Sequence, residues 1–278
     1  MVYFMKCLDY EKNGKEGIIK LTVKVVVLDL DGTLLNSKKQ ISSRNLNAVL
    51  NCHKSGKKII IATARPPRSV KNFLPKELLD NCSFAFYNGA LVCDYKIGYE
   101  EHSSIPRDFS KEIIEFCKEN FPHCTISFEV KDKWYSNKEI TDSSIYNLRY
   151  IPHILTNDKL IDLEATKIML SDFNDFKHFK PYFTDKVKVV VTDNQKLIQI
   201  TNKEVSKETG ILKLCSHYEA DKSETIVFGD DYNDLEMFRM SGYSVAMLNA
   251  VQELKGMADE ITDTNDNDGV AKVLKRFV

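Results

Sequence analysis

The sequence lacks the features that mark several classes of protein. It has one tryptophan, seven scattered cysteines without a CxxC pair, and a formal net charge of −1. The odd cysteine count argues against a disulfide framework or a structural zinc site, and it fits reduced thiols in a cytoplasmic protein. A charge near zero predicts no general attraction to nucleic acid or to an anionic membrane. The chain also has no apolar run long enough to span a bilayer.

The first residues, MVYFMKCLDYEKNGKEG, do not join a basic head to an apolar stretch, as a secretory signal would. We therefore expect residues 1–22 to form an N-terminal extension. The remainder has the composition of a soluble globular protein, with 43% hydrophobic and 28% charged residues in the whole chain. A length of 278 residues allows one large domain or two smaller ones.

Three short apolar runs, at residues 25–28, 59–62 and 225–228, predict strands that are buried on both faces. A helical pattern at residues 42–56 separates the first two runs, and strand, helix, strand at this spacing implies a parallel sheet. After about residue 95 the pattern changes to alternating strands with few helices.

The predicted fold class is α/β, with a doubly wound, mostly parallel Rossmann-like core and an inserted α+β domain. Residues 23–95 and 196–278 are expected to form the core, and residues 96–195 the insertion.

The stretch Val25–Leu35, VVVLDLDGTLL, places Asp29 and Asp31 two positions apart at the end of an apolar run. One interpretation is a hairpin, because Asp-Gly between apolar residues favours a two-residue turn. The other is a central strand whose two acids reach the same space at its carboxyl end, where ligands bind. Gly32 would let the backbone approach a ligand. Two close carboxylates would need a cation or a proton near them, and a hard divalent ion such as Mg²⁺ is the natural candidate.

Further candidate groups lie at the ends of other predicted structural elements. Asp230 and Asp234 follow the third apolar run and could join the same site, or one of the acids there could cap a helix. Thr63 ends the second run, where a hydroxyl and free N–H groups could cradle a phosphate or form an ordinary cap. Lys207 begins a predicted helix, although a surface role is the default for a single lysine.

The ordered set of motifs resembles the haloacid dehalogenase superfamily. The set comprises DLDGT at 29–33, IATAR around Thr63, VSKETG around Lys207 and GDDYND at 229–234. It is most similar to the Cof-type phosphatases, in which a large α+β cap is inserted between the second and third motifs. One difference is Ala64, where the family often has glycine.

The resemblance implies a Mg²⁺-dependent phosphohydrolase that forms an aspartyl-phosphate on Asp29. Asp31 would act as the acid and base, which requires neighbours that keep it neutral. The metal would be held by the Asp29 carboxylate, the Asp31 backbone carbonyl and Asp230, while Asp234 would orient the metal's water ligands. The phosphoryl oxygens would be bound by the N–H groups of Leu30 and Ala64 and by the side chains of Thr63, Lys207 and Asn233.

The expected partner is a small phosphorylated metabolite such as a sugar phosphate. The alternatives are a sugar phosphomutase and a non-enzymatic signalling or binding protein with a phosphorylated aspartate. Several large or basic side chains of the insertion could line the substrate surface or belong to the insertion's own core, namely Trp134, Tyr135, Arg149, His153 and Tyr182.

Overall fold

The computed structural model describes residues 22–172 and 176–278, so the extension predicted for residues 1–22 lies almost wholly outside the described residues. The strands are β1 Val25–Asp29, β2 Lys58–Ala62, β3 Ser83–Phe86, β4 Leu91–Asp94, β5 Tyr99–His102, β6 Thr125–Val130, β7 Lys133–Ser136, β8 His153–Ile154, β9 Lys167–Ser171, β10 Val187–Thr192, β11 Leu197–Asn202, β12 Thr225–Gly229, β13 Tyr243–Ala246 and β14 Glu260–Ile261. The helices are α1 Ser43–Lys54, α2 Pro67–Val70, α3 Lys76–Leu79, α4 Arg107–Asn120, α5 Asn157–Ile161, α6 Phe176–Phe183, α7 Lys207–His217, α8 Leu235–Met240, α9 Gln252–Met257 and α10 Gly269–Leu274.

The first sheet has eight strands in the order β14-β13-β12-β1-β2-β3-β4-β5. The six strands from β14 to β3 are parallel, and β4 and β5 are added antiparallel at one edge. All residues of β1 are buried, as the apolar run predicted. Because β1 pairs in parallel with a strand on each side, the hairpin interpretation of residues 25–35 is wrong.

The order in which the chain adds strands to the first sheet reverses at β1, although the neighbouring strands stay parallel. The strands β2 and β3 extend the sheet to one side of β1, and β12 to β14 extend it to the other. Such a reversal is a topological switch point, and ligands bind there, beyond the carboxyl ends of the strands. The doubly wound, mostly parallel core predicted from the sequence is confirmed, and the reversal marks the place to look for a site.

The second sheet has six strands in the order β10-β11-β9-β6-β7-β8. Its extent along the chain differs by one strand at each end from the insertion predicted at residues 96–195. The strand β5 belongs to the first sheet because a tight turn joins it to β4, and β11 belongs to the second because it forms a hairpin with β10. The change in sequence pattern near residue 95 therefore marks a hairpin turn.

Each sheet has its own hydrophobic core, one formed mainly by residues 25–93 and 205–274 and the other by residues 105–200. Six cysteines are buried, as expected for small core residues; the seventh, Cys7, lies outside the described residues. Among the helices of the described residues, none combines the length and apolar character that crossing a bilayer requires.

A group of polar contacts ties the second sheet to the carboxyl end of the first. Arg68 of α2 forms a two-point ion pair with the buried Glu129 of β6, with N–O distances of 2.5 and 2.7 Å. The backbone N–H of Arg68 also donates to Asp132, and the Tyr87 hydroxyl donates to the Lys131 carbonyl at 2.6 Å. These contacts hold the second sheet beside the switch point of the first.

Candidate active site

Three carboxylates meet at the carboxyl ends of β1 and β12. Asp29 is the last residue of β1, Asp230 follows β12, and Asp234 ends the 3₁₀ helix Tyr232–Asp234. One carboxylate oxygen from each of the three lies within 4.8 Å of those of the other two. Residues that are far apart in the sequence therefore share one buried space, because their strands are neighbours in the sheet.

Lys207 supplies positive charge to this cluster. Its Nζ donates to Asp29 Oδ1 at 2.5 Å and to Asp234 Oδ1 at 2.7 Å, and its side chain is fully buried. Burial raises the pKa of Asp29 well above its usual value against the lowering effect of Lys207, and the charges of Asp234 and Asp230 add to the rise. Burial alone would lower the pKa of Lys207, but the charges of Asp234 and Asp29 raise it above its ordinary value. Lys207 is therefore a charged ammonium at neutral pH.

The position of Lys207 depends on the packing of α7. The side chain of Ser206 caps this helix by accepting from the N–H of Thr209. One turn into the helix, a Cβ at Gly210 would lie 2.7 Å from the Cα of Gly89, so only glycine fits this approach.

Gly210→Ala is therefore expected to lower the free energy of unfolding by about 1–3 kcal/mol, because the added methyl overpacks the contact with Gly89. Gly256 of α9 is the matched control, since no atom lies within 4 Å of a Cβ there. Gly256→Ala should stabilise the protein by up to about 1 kcal/mol through helix propensity alone. Urea unfolding measures both, and equal stabilisation by the two substitutions would contradict the packing argument.

Asp234 acts on the loop that carries Asp230. Its Oδ2 accepts from the backbone N–H groups of Asp230 at 2.9 Å and Asp231 at 3.0 Å, while Oδ1 accepts from Lys207. A Cβ at Gly229 would lie 2.6 Å from the Asp234 carboxyl group, so the strand end must be glycine for this contact to form. Since both oxygens of Asp234 are engaged, the side chain holds Asp230 in place.

Asp31 has partners that the sequence interpretation missed. Arg65 donates to its two oxygens at 2.5 and 2.7 Å, and Lys39 donates at 2.7 Å. Burial would raise the pKa of Asp31, but the hydrogen bonds from Arg65 and Lys39 outweigh it and place the pKa below its usual value. The sequence argument expected neighbours that keep Asp31 neutral, whereas these neighbours keep it ionised. The arginine of IATAR was the available signal, two residues beyond Thr63.

The loop after β1 closes tightly on Asp230. Gly32 has a φ of +84°, and a Cβ there would lie 2.1 Å from Asp230 Oδ2. The Thr33 hydroxyl donates to Asp230 Oδ1 at 2.7 Å. Glycine at position 32 is thus required both by the left-handed backbone and by the approach of a carboxylate.

The remaining predicted phosphate-binding residues surround the same edge of the sheet. Thr63 is buried, and its hydroxyl accepts from the N–H of Arg65 at 3.2 Å. Asn233 donates to the side chain of Asn88 at 3.2 Å, and the Leu30 side chain is buried in the core. Ala64, Asn233 and Lys207 line a cavity of about 550 Å³.

The second sheet forms the other wall of this cavity. Its contribution consists of polar and apolar side chains from three strands, namely Lys167, Lys188, Val190, Thr192, Gln199 and Thr201. The five side chains suggested from the sequence do not line the cavity, and Trp134 instead packs into a small cluster with Tyr146, Met169 and Leu197. Polar residues at alternate positions of otherwise apolar strands were the signal that could have found this wall.

The donor atoms of the carboxylate cluster fit a hard divalent cation. They are oxygens, which Mg²⁺ prefers. When ionised, the three carboxylates carry more negative charge than the single positive charge of Lys207 balances. Burial, together with the charge of Asp234, raises the pKa of Asp230 to about 6 despite the hydrogen bond from Thr33. A bound cation would stabilise the ionised form of Asp230, so the residues present suit Mg²⁺.

The family model of haloacid dehalogenase-like hydrolases matches residues 26–274. The chain belongs to this family. The resemblance drawn from the four motifs is therefore confirmed. The uracil-derivative phosphatase YitU of Bacillus subtilis, 5-amino-6-(5-phospho-D-ribitylamino)uracil phosphatase, is 28% identical and covers 91% of this chain and 97% of its own.

Other relatives agree with this assignment. The phosphatase YwpJ of Bacillus subtilis is 24% identical over 92% of this chain and 100% of its own. The crystal structure of TM0651 from Thermotoga maritima is 28% identical, covers 92% of this chain and 97% of its own, and has a TM-score of 0.82. This haloacid dehalogenase-like hydrolase is a phosphatase, as the sequence predicted.

Proposed function

We propose that this phosphatase is a Mg²⁺-dependent phosphohydrolase that cleaves small phosphate monoesters, such as sugar phosphates, through an aspartyl-phosphate on Asp29. The observation that carries the proposal is the position of Asp29. Its buried carboxylate lies 2.5 Å from Lys207 and within 4.8 Å of Asp230, at the switch point of the sheet. Lys207 also lines the cavity, so a phosphate there would be close to the nucleophile.

In the proposed first step, an Asp29 oxygen attacks phosphorus and forms an O–P bond while the ester P–O bond breaks. Asp31 gives its proton to the leaving oxygen. In the second step, water attacks the phosphorus of the aspartyl-phosphate and gives a proton to Asp31. The bond between the Asp29 oxygen and phosphorus breaks, so phosphate leaves, Asp29 is a carboxylate again and Asp31 is again protonated.

The acid role of Asp31 requires a change of partners. Arg65 and Lys39 stabilise its ionised form, which suits the base of the second step. To act as an acid in the first step, Asp31 must release these partners and take up a proton from solvent, which it then gives to the leaving oxygen.

Lys207 is suited to bind a phosphoryl oxygen because an ammonium group has three donors and two are used by Asp29 and Asp234. The other proposed phosphate ligands are the side chains of Thr63 and Asn233 and the N–H groups of Leu30 and Ala64. The carboxylates of Asp29 and Asp230 and the backbone carbonyl of Asp31 would hold Mg²⁺, with Asp234 orienting its water ligands. When bound, Mg²⁺ neutralises the charge of the phosphoryl group.

Phosphate release from a panel of small esters tests the proposal. With Mg²⁺, we expect hydrolysis of 4-nitrophenyl phosphate and of at least one sugar phosphate. Treatment with EDTA should reduce the rate to background, and added Mg²⁺ should restore it, because the phosphoryl charge is otherwise not neutralised. Full activity after chelation would contradict the metal-dependent mechanism, and interconversion of sugar phosphate isomers without phosphate release would favour a mutase.

A further inference from the structure

Lys167 is a cation at the wall of the cavity. It is half-buried on β9 and stands opposite Glu129 in the pairing of β9 with β6. The Glu129 carboxylate, however, is engaged by both terminal guanidinium nitrogens of Arg68, and the Tyr87 hydroxyl lies 3.2 Å from it. Within the described residues, no carboxylate oxygen lies within 4.0 Å of Lys167 Nζ.

The nearest acceptor of Lys167 is neutral. Its Nζ donates to Gln199 Oε1 at 3.3 Å, and the amide of Gln199 donates in turn to the Thr192 hydroxyl at 3.0 Å. Burial lowers the pKa of Lys167 despite the charge of Glu129, and the other group that faces its Nζ is the neutral Tyr87 ring, whose centroid lies 5.5 Å away. An ammonium group removed from water is costly unless an anion faces it.

Two further cations line the same cavity. Lys188 of β10 donates to the Val205 carbonyl at 3.2 Å, and its Nζ is 4.0 Å from Glu236. Arg239 of α8 makes no ion pair with any residue in the described ranges 22–172 and 176–278. The acids at the wall are Asp231 and Glu236, so the cations Lys167, Lys188 and Arg239 leave the wall positively charged.

This positive charge is separate from that of Lys207. The charge of Lys207 is balanced by Asp29 and Asp234, whereas Lys167 and Lys188 lie on the second sheet. A phosphate bound at Asp29 and Lys207 would therefore leave Lys167 of the second sheet without an anion within ion-pair distance.

We propose that the cavity selects phosphate monoesters that carry a second anionic group, a carboxylate or another phosphate, which Lys167 binds with support from Lys188 and Gln199. This inference rests on the proposed function and adds the substrate class. A neutral polyol phosphate would fill the same space but would leave Lys167 unpaired.

Two pairs of esters that differ in one group test the proposal: sorbitol 6-phosphate with 6-phosphogluconate, and glycerol 3-phosphate with 3-phosphoglycerate. In each pair a hydroxymethyl group is replaced by a carboxylate. The wild-type kcat/KM, measured by phosphate release with Mg²⁺, should be higher for the acid by about 10-fold or more in at least one pair, as expected for a charged hydrogen bond.

Lys167→Met should reduce this ratio to near one by raising KM for the acid, with little change for the neutral ester. Lys167→Arg keeps the charge and should retain most of the ratio, which separates loss of charge from loss of folding. Lys133→Met is the matched control, because Lys133 is an exposed lysine on β7 of the same sheet and outside the cavity wall. It should leave the ratio unchanged.

Equal kcat/KM values within both pairs, or a ratio that survives in Lys167→Met, would overturn the inference while hydrolysis itself upholds the proposed function. Absence of phosphate release from all four esters and from 4-nitrophenyl phosphate would overturn the proposed function and this inference with it.

Discussion

Replacing Asp29 with asparagine is expected to lower kcat for phosphate-ester hydrolysis by about 10³-fold or more, because the amide cannot form the aspartyl-phosphate. The fold should remain intact. Burial raises the pKa of Asp29, which means that its charged form is destabilised in place, and Lys207 keeps Asp234 as a partner. Phosphate release and thermal unfolding on the same preparation measure the two effects.

Asp80→Asn is the control for this substitution, since Asp80 is an exposed acid beyond the end of α3. It should leave kcat unchanged. If Asp29→Asn retained a tenth or more of wild-type activity in a preparation free of other phosphatases, the assignment of the nucleophile would be wrong.

Lys207→Met is expected to cost about 3–5 kcal/mol of folding free energy in addition to abolishing activity. The substitution leaves Asp29 and Asp234 buried without the cation that both contact. Because the pKa of Asp29 is raised relative to the unfolded chain, the protonated form is favoured by folding. The destabilisation should therefore diminish as the pH falls and grow as the pH rises through the folded-state pKa.

Lys213 of the same helix offers the matched control. It pairs with Glu101 at 2.6 Å, but both side chains are partly exposed. Lys213→Met should cost less than about 1 kcal/mol, as is usual for surface ion pairs. Urea unfolding at pH 5 and pH 8 gives the free energy of unfolding of both variants. If Lys207→Met lowered this free energy no more than Lys213→Met at either pH, the result would contradict the electrostatic account.

The central part of the fold could be predicted because its signals are local. Continuous apolar runs at β1, β2 and β12 are typical of strands buried on both faces, and all three lie side by side in the first sheet. The edges could not be placed in the same way. Strands β5 and β11 are joined to their neighbours by short turns, and which sheet such a hairpin strand extends is decided by its pairing partner.

The candidate site also has a part that the sequence predicts and a part that only the fold determines. Asp29 and Asp230 could be expected to meet, because the carboxyl ends of neighbouring parallel strands share one edge. The partners of Asp31 could not be expected, because the conformations of two loops bring Arg65 and Lys39 to its carboxylate. Lys167 and Gln199 were missed for a related reason, because single polar residues on strands gain a role only when the second sheet is placed against the first.

A crystal structure of the protein with Mg²⁺ and beryllium fluoride tests the central claim most directly, because beryllium fluoride bonds to a carboxylate oxygen as a phosphoryl group would. The account predicts beryllium fluoride on an Asp29 oxygen, with Mg²⁺ bound by the carboxylates of Asp29 and Asp230. Beryllium fluoride on another residue, or Mg²⁺ bound away from Asp230, would contradict it.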